Sequence, residues 1–237
     1  MKIRGERECT ECGTRWSYYE TGSVGCPACG SLRSVGLDDR KEHTDLEVEF
    51  DLTAVRAAVD EATTTDLAER ANDRASAYVR RRGFVRGGDL RDLDDDFLAA
   101  MELRHVSDVV TRRMRVDDRE ELYFLSLLRD ADAGERPSAE DVPRSMRAPR
   151  GLAGADAVEA YRRDVRTWAD DRDLAPAERT ILESLDDHVT RIRLLEGDVP
   201  PESAERLVEA ARALGTGLRE QDEDAISRAR EELQKLE

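Results

Sequence analysis

The chain has 237 residues, of which 39% are charged and only 5% aromatic, and it carries a formal net charge of -16. Lysine occurs only as Lys2, Lys41 and Lys235, so nearly all the positive charge is arginine set in an excess of Asp and Glu. The N-terminus lacks the apolar segment of a secretory signal, and no apolar run approaches the ~18–20 residues that cross a bilayer; this argues against a membrane protein and predicts a cytoplasmic setting.

Self-repulsion at this net charge strains a compact fold in dilute buffer, and molar salt removes most of that penalty by shortening the Debye length to about 3 Å. The composition therefore reads as adaptation to a salty cytosol. An acidic surface that mimics nucleic acid would concentrate its charge, whereas here it is spread along the chain.

All four cysteines lie in the first thirty residues, as Cys9-x-x-Cys12, thirteen intervening residues, then Cys26-x-x-Cys29. In a reducing compartment, paired cysteines at this spacing hold a metal more often than they form disulfides. Four thiolates around one ion make a closed tetrahedral site with no position left for substrate. Gly13 follows the first pair, and Pro27 and Gly30 frame the second, as the sharp turns of two metal knuckles require. Between the pairs, "TRWSYYE" favours a strand and "TGSVG" a turn; "SLRSVGL" after Cys29 predicts another strand. Residues 1–37 thus have the layout of a zinc ribbon, too short to fold without its metal.

"CTECG" and "CPACGS" resemble the knuckles of transcription factor IIB-type zinc ribbons found in many archaeal proteins. Together with the acid-rich, Arg-for-Lys composition, the chain resembles uncharacterised zinc-ribbon proteins of halophilic archaea. The resemblance covers the ribbon alone and implies metal ligation by Cys9, Cys12, Cys26 and Cys29, with a role in transcription or related information processing. Rubredoxin-like domains use similar knuckles around iron, so iron and electron transfer form the competing reading. Rubrerythrin-type proteins add a di-iron helical bundle with two Glu-x-x-His motifs. Here only Glu102-Leu-Arg-His105 fits, which argues against such a bundle.

Residues 38–51 contain "HTDLEVEFDL", whose alternating Leu46, Val48, Phe50 and Leu52 predict a connecting strand or linker. Helical spacing begins with Leu52, Val55, Val59 and Ala62. It continues through Leu67, Ala71, Ala75 and Tyr78, with Asp66 and Glu69 as a candidate capping box. Leu93, Phe97, Met101, Val106, Val109 and Val110 predict a further helix, and Asp117 with Glu120 predicts the cap of the next. Residues 132–152, rich in proline and glycine, predict a loop or linker between a helical region at 52–131 and a C-terminal bundle at 153–237. In that last region Val158–Trp168, Leu182–Ile192, Leu207–Leu214 and Ile226–Leu236 give four amphipathic helices. Pro201 starts the third, and "GTG" at 215–217 interrupts it before the fourth. The expected fold is mainly α: a small N-terminal β ribbon followed by antiparallel helical hairpins or a bundle.

No nucleophile–base pair, phosphate loop or open metal site is legible, so no catalytic residue is assigned and an enzyme is not expected. An enzyme built on the helical body is the third class considered. Residues 1–36 carry five cations and four carboxylates, a net +1 that leaves -17 for the remainder. Arg15, Trp16 and Tyr18 are candidates for a base-stacking surface, against the alternative that the aromatics pack the ribbon sheet. Arginine clusters at Arg80–Arg82 with Arg86, at Arg112, Arg113 and Arg115, and at Arg144, Arg147 and Arg150 are explained in part by helix C-termini, which favour cations. A purely electrostatic grip on nucleic acid weakens steeply in salt. The expected partner is a protein, with nucleic acid held by stacking and shape as the alternative; the sequence assigns no oligomeric state.

Overall fold

The computed structural model describes residues 1–236. The N-terminal unit comprises β1 (Lys2–Ile3), β2 (Glu6–Cys9), β3 (Arg15–Ser17), the helical turn α1 (Tyr18–Thr21), β4 (Ser34–Gly36) and β5 (Lys41–Glu42). β2 is the middle strand of an antiparallel sheet in the order β3-β2-β4, while β5 returns to pair with β1. The strand expected across "TRWSYYE" therefore ends at Ser17, and its second half turns as α1.

The body contains α2 (Thr53–Arg56), α3 (Thr64–Arg81), the hairpin of β6 (Val85–Arg86) and β7 (Asp89–Leu90), α4 (Asp95–Arg112), α5 (Asp118–Asp130), α6 (Arg147–Ala169), α7 (Pro176–Leu194), α8 (Pro201–Glu220) and α9 (Glu223–Gln234). The fold is mainly α, as expected. Buried residues from Leu52 to Leu233 form one contiguous apolar cluster, so the helices before and after residues 132–152 share a core. α4 lies between α3 and α6. It buries Phe97 through Leu103 without a break, because it has neighbours on several sides.

The caps show how local chemistry starts these helices. Asp117 accepts the amides of Arg119 and Glu120 at 2.9 Å each, and Glu120 answers from the third helical position, as the spacing predicted. On α3 the capping box is Thr63 with Asp66, three residues earlier than expected. The Thr63 hydroxyl accepts the Asp66 amide at 3.2 Å, satisfying one of the free N–H groups at the helix start.

Three expectations need correction. The alternating Leu46–Leu52 segment joins no sheet. It crosses the helices, with the Leu46 amide donating to the Arg81 carbonyl at 3.1 Å. Val48 and Phe50 pack on the core, and Leu52 is buried. Side-chain alternation reports a surface covered on one face, and here helices supply that surface instead of a strand partner.

Of residues 132–152, expected as a loop or linker, the part up to Met146 is a loop with short turns and the rest is the start of a helix. Short 3-10 turns occupy Ala131–Ala133, Ala139–Asp141 and Arg144–Met146, and α6 starts at Arg147. Pro149 sits in the first turn of α6, where no helical N–H is lost. Buried Gly151, Ala153, Gly154, Ala155 and Ala157 surround this half of the helix. A Cβ on Gly151 would lie 2.2 Å from the Gly197 carbonyl. Small residues allow that approach and erase the amphipathic signal.

"GTG" does not interrupt α8, which runs on to Glu220. Gly215 instead admits the buried Tyr161 hydroxyl, which lies 1.9 Å from where a Cβ would stand. Gly215→Ala is expected to destabilise the fold by about 1–3 kcal/mol through overpacking. Tyr161→Phe, which removes the clashing oxygen, should recover much of the loss; chemical denaturation of the single and double variants measures this.

Candidate metal centre

The two cysteine pairs are built alike. In the first, the Gly13 amide donates to the Cys9 carbonyl at 3.0 Å and the Cys9 amide to the Thr14 carbonyl at 2.9 Å. In the second, the Gly30 amide donates to Cys26 and the Cys26 amide to Ser31, both at 2.9 Å. Gly13 and Gly30 have φ of 73° and 72°, a left-handed turn that favours glycine. Each knuckle curls its backbone around its own sulfurs, and β2 holds the first against the strand that leaves the second.

This brings Cys9, Cys12, Cys26 and Cys29 together with all four sulfurs within 4.8 Å of one another. The Cys9–Cys29 and Cys12–Cys26 Sγ separations are 3.6 and 3.5 Å. A tetrahedron with metal–sulfur bonds of about 2.3 Å has edges of about 3.8 Å, so the spacing fits one ion. It is far from the ~2.05 Å of a disulfide. Cys9 and Cys26 are buried and Cys12 and Cys29 exposed. Hydrogen bonds with the Thr14 side chain and backbone pull the Cys12 thiol down to about 6. At Cys29 a backbone hydrogen bond from Ser31 is outweighed by the hydrogen bond to Cys12 and by burial, which together push the thiol up to about 12. Bare, Cys12 and Cys29 thus give up their protons unevenly; a bound cation favours all four thiolates. The four cysteines could hold a metal, and among the described residues they are the group of His, Cys, Asp and Glu side chains so arranged.

Trp16 is only 6% exposed and packs with Cys9 and Cys26 as a small separate core. Its indole N–H donates to the Ser23 carbonyl at 3.0 Å. It therefore offers no open face for a base. Tyr18 is half-buried and meets His43 edge-on at 5.8 Å. Arg15 is exposed and pairs with Glu8 at 2.5 Å. Trp16 is thus part of the ribbon's own core, and Arg15 and Tyr18 are engaged with Glu8 and His43.

The junction between ribbon and body carries residues that sequence reasoning missed. Asp164, on α6, accepts the Thr44 hydroxyl at 2.7 Å and the Phe84 amide at 2.8 Å. Buried Asp45 pairs with Arg82 and, at 2.9 Å, with Arg86. Two members of the "YVRRRGFVR" cluster are thereby consumed inside the chain. Only the pairing of distant segments reveals this, since Asp45 stands in an acidic stretch with no distinguishing neighbour.

His43, 3% exposed, sits beneath Tyr18 and Tyr19. Its Nδ1 accepts the Gly87 amide at 3.4 Å. Burial holds its pKa below the ordinary 6.5, aided by Arg86 and the N-terminus and opposed by Asp45. A histidine depressed in the folded state leaves stability intact above its unfolded value and erodes it as pH falls from there toward the folded value. Acidification below about pH 6.5 is thus expected to loosen the junction before the body. The protection factor of the Gly87 amide against pH checks it, with its fall below about pH 6.5 absent in His43→Phe.

Elsewhere, Glu102 of the lone Glu-x-x-His pattern is fully buried and bonded to Tyr123, Arg136 and Arg150. His105 holds Asp156 at 3.0 Å instead. A cleft of about 770 Å³ lies between α5 and residues 135–144, bordered by Arg119, Arg129, Arg136 and Arg144 and by Asp130, Glu135, Glu140 and Asp141. Tyr123 and Arg136, which line it, are engaged with Glu102. Among the described residues, no helix is long and apolar enough to cross a membrane.

No curated protein and no solved structure matches the chain. The model of one family matches residues 1–233. With nearly its whole length matched, ribbon and helical body together, the chain belongs to the family of unknown function DUF7117.

Proposed function

We propose that Cys9, Cys12, Cys26 and Cys29 hold one structural zinc ion and that the chain is a protein-interaction module carrying this ribbon on an acidic helical body. The reading rests on one observation: the four cysteine sulfurs lie within 4.8 Å of one another, a set that fills the tetrahedral shell of one ion. Such a site supplies folding energy and a rigid surface, not catalysis, and the reading assigns the chain no reaction. The resemblance of the knuckles to transcription factor IIB-type ribbons supports a place in transcription or related information processing. The composition favours a salty cytosol, and the resemblance to zinc-ribbon proteins of halophilic archaea supports a salt-adapted archaeon as its source.

Metal analysis of protein purified without added metal tests the assignment. One zinc per chain is expected. Iron, with visible thiolate-to-iron absorption, would replace this reading with electron transfer. The salt adaptation has its own test. Helix content by circular dichroism is expected to fall in dilute buffer and recover in molar KCl, and a body equally stable in both would remove the halophilic part of the proposal.

A further inference from the structure

Cys9, Cys12, Cys26 and Cys29 are the chain's only thiols, so a sulfur oxidised in the ribbon has its partner within the quartet. Exposure divides the set: Cys12 and Cys29 are exposed, Cys9 and Cys26 buried. The two close sulfur approaches respect that division. Cys12 faces Cys26 at 3.5 Å and Cys29 faces Cys9 at 3.6 Å, so each pair joins an exposed sulfur to a buried one. Each pair also runs from one knuckle to the other, whereas the Cys-x-x-Cys motifs of redox proteins close within a single turn.

Little movement separates these contacts from covalent bonds. A disulfide spans about 2.05 Å, so each pair has about 1.5 Å to close. Backbone hydrogen bonds keep the knuckles in register: Cys9 stands opposite Ser34 in the β2–β4 ladder, and the Thr10 amide donates to the Arg33 carbonyl at 3.0 Å. A bound cation keeps all four sulfurs as thiolates, the form that attacks a peroxide, and exposure lets the reagent reach two of them.

We propose that the quartet is also an oxidative modification site, at which a hydroperoxide displaces the ion and ties the knuckles together through Cys12–Cys26 and Cys9–Cys29 disulfides. This rests on the four cysteines holding zinc, the reading given above. An exposed thiolate attacks the terminal peroxide oxygen; the S–O bond forms, the O–O bond breaks, and the departing alkoxide takes a proton from water. The buried thiolate that faces it then attacks the sulfenic sulfur; the S–S bond forms and hydroxide leaves, protonated to water. Two thiolates have thereby given two electrons to one hydroperoxide. A second equivalent closes the other pair, and no thiolate is left to hold the ion. The event is stoichiometric, and a dithiol reverses it. Because the bridges cross between knuckles where the metal bonds did, the β3-β2-β4 sheet stays closed.

Zinc is counted first in the reduced full chain, which judges the metal reading by itself. Hydrogen peroxide is then titrated in beside a colorimetric zinc indicator, free thiols are alkylated, and the protein is digested with trypsin. Cleavage after Arg7, Arg15 and Arg33 leaves Cys9 and Cys12 on one peptide and Cys26 and Cys29 on another. The expected product is those two peptides linked, with fragments assigning Cys12–Cys26 and Cys9–Cys29. It should appear in step with zinc release and before Met114, fully exposed, becomes sulfoxide. Amides of β2 and β4 should exchange at least about tenfold more slowly in this oxidised protein than in reduced protein stripped of zinc by a chelator. Peptides each closed on themselves, sulfinic or sulfonic acids in place of disulfides, zinc retained until Met114 is oxidised, or exchange as fast as after chelation would each overturn the proposal and leave the metal reading intact. A reduced chain that carries no zinc would overturn both.

Discussion

Replacing Cys26 and Cys29 together with alanine is expected to unfold residues 1–37 and leave the helical body standing. The ribbon's own core is Cys9, Trp16 and Cys26, separate from the apolar cluster of the body. Two of those three residues belong to the candidate metal centre. A cluster this small cannot offset the entropy of ordering the segment. The metal has to make up the difference, and structural zinc supplies about 10–16 kcal/mol of apparent free energy in comparable peptides. Hydrogen exchange should show the β2–β4 amides losing all protection, while far-ultraviolet circular dichroism, dominated by α3 to α9, changes little. Retained protection of the ribbon in the double variant would mean that metal does not hold it.

The second large effect is expected deep in the body. Glu102 on α4, fully buried, accepts hydrogen bonds from Arg150 at 2.9 Å, Arg136 at 3.1 Å and the Tyr123 hydroxyl. Arg150 also reaches Glu205 at 2.6 Å and the Pro137 carbonyl at 3.0 Å. The cluster joins α4, α5, α6 and α8 and the turn that precedes α6. Arg150→Met removes one of two cations from a dry site and leaves buried Glu102 with Arg136 and the Tyr123 hydroxyl alone, at a cost of about 3 kcal/mol. Adding Glu102→Leu should restore most of that loss, because a well-packed apolar pair lacks the desolvation penalty of the ion pair. Denaturant midpoints of the two single variants and the double variant give the coupling directly.

Acid should act on the same cluster. Glu205 is held below the usual carboxylate value: burial raises it, and Arg136 and Arg150 more than compensate. A depressed carboxylate contributes stability that is complete above its unfolded value and is lost as pH falls through the folded one.

Legibility from sequence tracked how each residue does its work. The four cysteines were readable because metal geometry imposes spacing directly on the chain. Asp117 with Glu120 was readable because a capping box is local. Arg150, in contrast, stands in a stretch rich in proline and glycine that has no helical period, since this half of α6 is buried on most sides and built from small residues. Gly215 suggests a break until Tyr161, more than fifty positions earlier, is placed beside it. Leu46 to Leu52 carried a true signal, one covered face, but period alone does not say whether a strand or a helix does the covering. Asp45 and Asp164 gave no signal because each is one acid among many, distinguished only by the distant arginine, amide or hydroxyl it meets, and Glu102 stands out in the sequence only through a Glu-x-x-His pattern that it does not use.

The alternation of buried Cys9 and Cys26 with exposed Cys12 and Cys29 gives the metal centre a front and a back. A chelator, a competing thiol or an oxidant arrives at the front, where one sulfur from each knuckle can be displaced while the two behind keep hold of the ion. Loss of the proposed ion is then expected to be sequential, its half-life following attack on this outer pair rather than the rare global opening of the fold.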